Sequence, residues 1–286
     1  MADQLSPLWL QEHRADRYSQ TGEDGVLAKA LEMLPGRDGW CVEFGAADGK
    51  AFSNTRALIE GGYSAVLIES ERQKFAALAK MYAGNDKVTT LWRYVGWAEH
   101  DGLDAILGGR QVPADFDLLI IDIDGNDYHA WRAIERYRPK LVLVEFNPTI
   151  PSHVRFVQAA DPTVCQGNSL LSLTELGREK GYALISVFPW NALFVRADYF
   201  PAFGITDNRP NVLRSHLGCL TWLFIAYDGS VYMTGNTVVP WHPGLRLNPD
   251  RMQVLPRWLR RPFDSYSRVQ RWGYRLLMAL RRARWK

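Results

Sequence analysis

"FDLLIIDIDGNDYHAW" (116–131) is an apolar strand that runs straight into acid. Leu118 to Ile123 is apolar except for Asp122, and Asp124, Gly125, Asn126 and Asp127 follow at once. A strand apolar at successive positions is buried on both faces, as in a parallel sheet covered by helices. Carboxylates at the end of such a strand are costly unless something compensates them. The polar stretch after Gly125 suits the start of a helix, and "NDYHAWRAIERY" (126–137) reads as one, with Asn126 and Asp127 as candidate caps.

The same alternation extends in both directions. "GWCVEFGAADG" (39–49), "YSAVLIESE" (63–71), "KVTTLWRYVG" (87–96) and "PKLVLVEFN" (139–147) read as further strands, and 53–62 and 72–84 as helices. Strands alternating with helices of this length imply βαβ units and a parallel sheet. In "LLSLTELGREKGYALISVFPWNALFVRADYF" (170–200) a helix is followed by two strands joined only by "PWN". A connection that short allows only antiparallel pairing. The expected fold is therefore α/β, a mostly parallel sheet with a terminal antiparallel hairpin. Residues 1–200 read as the main domain. Residues 201–249 read as a β-rich extension capping one side of the main domain's ligand crevice, with a hairpin signal at Asp228-Gly229. Residues 250–286 read as a basic amphipathic helix.

Composition excludes little beyond fibrous or disordered classes: 286 residues, 47% apolar and 23% charged. Cys41, Cys165 and Cys219 are scattered, without metal-type spacing, which points to a reducing compartment. The N-terminal residues lack the apolar core of a signal peptide, and no apolar run approaches the roughly 20 residues of a membrane span. A cytoplasmic location is expected. From Asp250 onward there are eleven Lys and Arg against two Asp, a balance of +9 within a chain of net +3 that leaves the body at −6.

The turn "VEFGAADG" places Glu43, Gly45, Ala47 and Gly49 at the first strand-to-helix connection, where a doubly wound sheet binds nucleotide-like ligands. Ala47 occupies the second glycine position of GxGxxG, so the dinucleotide fingerprint is not met. Glu69 ends the second strand, where an acid takes ribose hydroxyls. Together these indicate an adenosine site. They do not separate NAD from S-adenosylmethionine (SAM), but Ala47 and the terminal hairpin favour SAM.

Taken with "YSQTGEDGVL" (18–27), "SNT" (53–55), "VLIE" (66–69), "LVLVEFN" (141–147) and "NALFV" (191–195), these motifs resemble the FkbM-like group of class I SAM-dependent methyltransferases, especially bacterial members associated with polysaccharides and glycolipids. The likeness spans about residues 17–200. It implies a seven-stranded Rossmann-like sheet of order 3-2-1-4-5-7-6 with SAM as donor. Glu43, Gly45 and Glu69 match donor-binding positions, with Ala47 in the same turn. Gln20 and Asn54 are expected to close over the methionine end. A fold does not carry its acceptor with it.

In such a sheet the ends of strands 4 and 5 face one crevice. Asp122 and Asp124 end one strand, and Glu145 and Asn147 the other. Residues two apart share a face, so both pairs are expected to project together. Clustered carboxylates disfavour full ionisation; either they share protons or a cation sits among them. Oxygen-only ligands suit Mg²⁺ or Ca²⁺ rather than Zn²⁺, with Asp122, Glu145 and Asn147 as the expected ligands and Mg²⁺ as the expected ion. The alternative for Asp122 is a hydrogen bond to the SAM amine or to nearby backbone N–H groups, without any metal. His153 is the candidate base, with His129 behind it. His216, Trp222, Trp241 and His242 lie in the extension without an assigned role.

From Phe263 on, Tyr266, Val269, Trp272, Leu276, Leu277 and Leu280 share one arc of a helix, and Arg268, Arg271, Arg275 and Arg282 another. A basic amphipathic helix with aromatic anchors reads as a membrane-surface element. The alternatives are packing on the body or contact with nucleic acid, the latter disfavoured. The reading as a whole is an O-methyltransferase acting on a sugar hydroxyl of a lipid-linked or surface glycan. Its rivals are a methyltransferase of RNA or small hydroxylated metabolites, and a nonenzymatic binding protein.

Overall fold

Seven segments of the computed structural model, which describes residues 6–242 and 244–284, form one sheet. They are β1 (Trp40–Phe44), β2 (Ser64–Glu69), β3 (Val88–Trp92), β4 (Leu118–Ile121), β5 (Leu141–Glu145), β6 (Tyr182–Val187) and β7 (Asn191–Arg196). Their spatial order is β3-β2-β1-β4-β5-β7-β6. β1 pairs in parallel with β2 and β4, and β4 with β5. β7 runs antiparallel to both β5 and β6. The connecting helices are α1 (Glu23–Glu32), α2 (Arg56–Glu60), α3 (Arg72–Met81), α4 (Leu103–Leu107), α5 (Asp127–Ala133), α6 (Leu170–Glu179) and α7 (Pro210–Leu213).

The continuous apolar runs become the buried centre, as their composition requires. All four residues of β4 and Leu141–Val144 of β5 are buried. Trp131 of α5 packs against Phe194 of β7, their ring centroids 5.0 Å apart. Gly177 of α6 closes on the same two rings, where an added Cβ would lie 3.1 Å from each. At the amino edge of the sheet, Asp117 is fully buried and pairs with Lys140 at 2.6 Å. Its carboxylate also accepts the N–H groups of Asp38 and Gly39. One ion pair thus ties the entries of β1, β4 and β5, and the opposite edge is left for the site.

Some boundaries differ from expectation. β4 stops at Ile121, so Asp122 and Asp124 lie beyond it. α5 ends at Ala133, because Ile134 turns to extended backbone. α4 carries no periodicity long enough to announce it.

The chain divides into two compact units, Met1–Leu217 and Gly218–Lys286. The division falls at 217/218, so residues 201–217 belong with the sheet. In the second unit, β8 (Thr221–Ile225) and β9 (Val231–Gly235) form an antiparallel pair. Gly229, at φ +78°, lies in the connecting turn at the anticipated Asp-Gly step. The terminal helix, α8, runs Arg268–Arg284. It starts later than Phe263 because 257–259 and 263–265 form separate 3₁₀ turns.

Candidate active site

The carboxyl ends of β1, β2, β4 and β5 lie side by side, and the candidate residues gather there. Gly45 follows β1 at φ +82°, and its N–H and that of Ala46 both donate to the Ile68 carbonyl, at 3.0 and 3.1 Å. A Cβ on residue 45 would overlap the carbonyl oxygen of Asp122. Glycine is therefore required twice over, by its left-handed backbone and by the approach of the β4 end.

Ala47, itself at φ +46°, donates its N–H to Glu69 Oε2 at 2.8 Å. The other oxygen of Glu69 accepts the Glu71 N–H at 2.7 Å. The carboxylate is thus fixed by two backbone donors, and each oxygen retains a lone pair for a hydroxyl. Two hydroxyls of a vicinal diol match that geometry.

Glu43 is buried beneath the loop leading to α2 and accepts the Thr55 hydroxyl and the Asn54 N–H. Burial pushes its carboxyl up to about 7, against the pull of those two donors. It holds the loop rather than facing solvent. The Asn54 side chain is also buried, and its Oδ1 has no partner. An orphaned buried acceptor is rare, and it suits an ammonium group. Gln20 is exposed. Its stretch is anchored by Asp24, whose Oδ2 accepts the N–H groups of Arg17, Tyr18 and Ser19. The bare Gly45 turn, the diol-sized Glu69 and the orphaned Asn54 Oδ1 fit an adenosine carrying a cationic amino-acid tail.

On the other side of Gly45, Asp122, Asp124 and Glu145 each offer a carboxylate oxygen, all within 4.8 Å of one another. Asp122 and Glu145 are half-buried and Asp124 is exposed. Burial pushes Asp122 up to about 8, with like charge from Asp127, Asp124 and Glu43 adding to it. Burial, then Asp122 and its neighbours, hold Glu145 well above the usual carboxylate range. Strand alternation does not produce this convergence. Asp124 sits in a turn at φ +57°, and Gly125 at φ +148° follows it.

Asp127 shapes that turn. Its buried carboxylate accepts the N–H groups of Ile123 and Gly125, both at 2.9 Å. No side chain caps α5, so the expected cap is a turn staple instead. Burial raises Asp127 to about 6 despite these donors.

Asn147 does not join the trio. It lies past the end of β5, where its Nδ2 donates to Gln166 O at 2.7 Å and its Oδ1 accepts from Thr149 N and Oγ1. His153 is exposed. His129 Nε2 pairs with the Gln158 carbonyl at 2.9 Å, and its ring packs on Trp97 and Tyr128.

Three supporting residues gave no sequence signal. Asn168 is fully buried, donates to Gly125 O at 2.7 Å and accepts from Gln158 N. Gln158 Oε1 in turn accepts from Gln166 and Gly167. Arg214 donates to Pro148 O and Ile150 O beneath the loop that leaves β5. Isolated polar residues in loops look alike until the fold brings their partners, here up to 66 positions away.

No family model matches the chain, and no curated protein matches it. Among solved structures it is similar to magnesium protoporphyrin IX methyltransferase (ChlM) from Synechocystis PCC 6803 with bound SAH, at 10% identity and a TM-score of 0.40, covering 61% of this chain and 81% of that one. It is also similar to the N-terminal domain of EvdMO1 with SAH bound, at 12% identity and a TM-score of 0.41, covering 62% and 82%. The citrinin polyketide synthase CMeT domain matches at 13% identity and a TM-score of 0.41, covering 66% and 52%. These are likenesses of fold alone. The sheet order of the first unit, with its single reversed strand, is that of the class I methyltransferase fold.

Proposed function

We propose that the protein is a SAM-dependent O-methyltransferase whose acceptor is a sugar hydroxyl of a lipid-linked or cell-surface glycan. The observation that carries this reading is the placement of Asp122. Its carbonyl walls the Gly45 turn, and its carboxylate meets Asp124 and Glu145. Donor-type and base-type residues thus share one short segment. The FkbM-like motifs support the glycan acceptor.

SAM, when bound, supplies a sulfonium methyl. Glu69 orients the ribose through its two fixed oxygens, and Asn54 Oδ1 accepts from the ammonium. An ionised carboxylate of the trio takes the proton from the acceptor hydroxyl as its oxygen forms the bond to the methyl carbon. The bound donor would release the electron pair of its carbon–sulfur bond with the thioether. In-line positioning supplies much of the rate. The raised carboxyls of Asp122 and Glu145 suit this role, because a base is most effective near the working pH. Three oxygen donors also suit Mg²⁺, which Asp122, Asp124 and Glu145 would hold and which would acidify a coordinated hydroxyl.

The test is transfer of labelled methyl from SAM to glycan extracts, compared with RNA and small hydroxylated metabolites. Label in the glycan fraction, lost in Asp122→Ala and Glu145→Ala, supports the reading. Label confined to RNA or metabolites removes the acceptor, and unchanged transfer in both variants removes the chemistry.

A further inference from the structure

The helix α8 exposes one apolar stripe that its own unit does not cover. Val269, Trp272, Leu276 and Leu280 are 72%, 67%, 46% and 59% exposed. They are spaced three or four residues apart and so share one side of the helix. The arc read from sequence is therefore split. Its neighbouring edge is the one that packs: Gly273 is buried against the ring of Trp258, where a Cβ would not fit, and Leu277 and Met278 are half-buried. Gln270 donates to Trp258 O at 2.8 Å and Arg281 to Val254 O at 2.7 Å, which fixes how the helix is turned.

The charge beside the stripe is all of one sign. Residues 268–284 contain six arginines and no acid. Arg268, Arg275 and Arg282 recur every seven residues along one edge, with Arg271 between them, and all four are exposed. None of the four has an ion pair among the described residues. Among the described residues no helix is long and apolar enough to cross a membrane.

We propose that α8 lies flat on an anionic lipid surface, with Trp272 and Leu276 at the centre of the buried stripe and the Arg268–Arg275–Arg282 edge against the headgroups. An apolar stripe bordered by cations is the complement of acyl chains bordered by phosphates. A protein partner would supply carboxylates in register with the arginines, and a bilayer needs no register. The seventeen-residue helix is about 25 Å long, enough to hold the three arginines and the stripe at one depth. The docking surface rests on α8 and does not depend on methyl transfer.

The experiment is sedimentation of the full chain with vesicles of phosphatidylcholine alone or mixed with phosphatidylglycerol. The expected result is binding to the mixed vesicles and not to the neutral ones. Trp272→Ser with Leu276→Ser, both exposed and so tolerated by the fold, should abolish the binding. Arg268→Gln, Arg275→Gln and Arg282→Gln together should weaken it roughly a hundredfold, each arginine near such a surface being worth about fivefold. A wild-type chain left in the supernatant, or a serine variant that still binds, overturns the proposal. So does a stripe found to drive self-association or RNA binding without vesicle binding. Circular dichroism of each variant separates lost docking from lost folding.

Discussion

The Glu69 carboxylate accepts the backbone N–H of Ala47 at 2.8 Å, so the acid at the end of β2 and the turn at the end of β1 are one unit. An acid held this way is presented to a ligand without further ordering. Glu69→Ala removes the proposed diol acceptor and frees the Ala47 N–H. Charge-assisted hydrogen bonds contribute about 1.5–3 kcal/mol each, so with two of them lost SAM should bind roughly a hundredfold to ten-thousandfold more weakly by calorimetry. An unchanged affinity would place the donor elsewhere.

Gly45→Ala tests the contact with Asp122. The new methyl would meet the Asp122 carbonyl, and the backbone is left-handed at φ +82°. The conformational cost alone is about 1–2 kcal/mol, and the clash must add to it by pushing β4 outward. A loss of several kcal/mol is expected in denaturant unfolding. SAM affinity should fall in whatever protein remains folded.

How much of this was legible in sequence depends on distance along the chain. β4 and its acids announced themselves because an apolar run and "DIDGND" are local signals. The order of the sheet followed from the motif series and the short "PWN" turn. The geometry of Asp124 was not legible, because a left-handed residue in a turn leaves no periodic trace. Asn147 was misplaced for a related reason: once β5 ends at Glu145, strand alternation no longer governs where its amide goes, and Thr149 and Gln166 take it. Asn168 was invisible because its partner Gly125 is 43 residues away.

Glu43 makes stability depend on pH. Its carboxyl is raised to about 7 in the fold by burial, against about 4.3 in an unfolded chain. The folded state therefore binds the proton more tightly. That stability is fully present below about pH 4 and is lost as pH rises through about 7. At about 1.4 kcal/mol per pKa unit, the contribution is roughly 4 kcal/mol. Glu43→Gln should flatten the fall in melting temperature between pH 5 and pH 8 (roughly the window set by these values). A slope identical to that of the wild type would show that Glu43 is ionised in the fold.

The acid trio separates donor binding from chemistry. Glu145 lies on β5, across Asp122 from the Gly45 turn, so Glu145→Gln should leave SAM affinity within about threefold while methyl transfer falls by the 10²–10⁴ typical of a lost general base. Asp122→Asn should lower both. If Glu145→Gln transfers methyl normally over the full pH range, the base is elsewhere.

Arg214 tests whether the loop leaving β5 must be held for the site to form. Its guanidinium is buried, lies 5.3 Å over the Phe146 ring, and donates to the carbonyls of Pro148 and Ile150. Lysine cannot reproduce a planar fork that reaches two carbonyls while stacking on a ring. Arg214→Lys leaves at least one buried carbonyl without a donor, at about 1–3 kcal/mol, and Arg214→Ala loses the packing as well. Both variants should fold with lowered stability. Loosening Pro148–Ser152 moves the chain immediately after Glu145, not the Gly45 turn. The expected signature is therefore faster hydrogen exchange at Thr149, Ile150 and Ser152 and reduced methyl transfer with SAM affinity retained. If exchange there does not change, the loop holds its shape without Arg214, and the lost stability comes from packing on Phe146 alone.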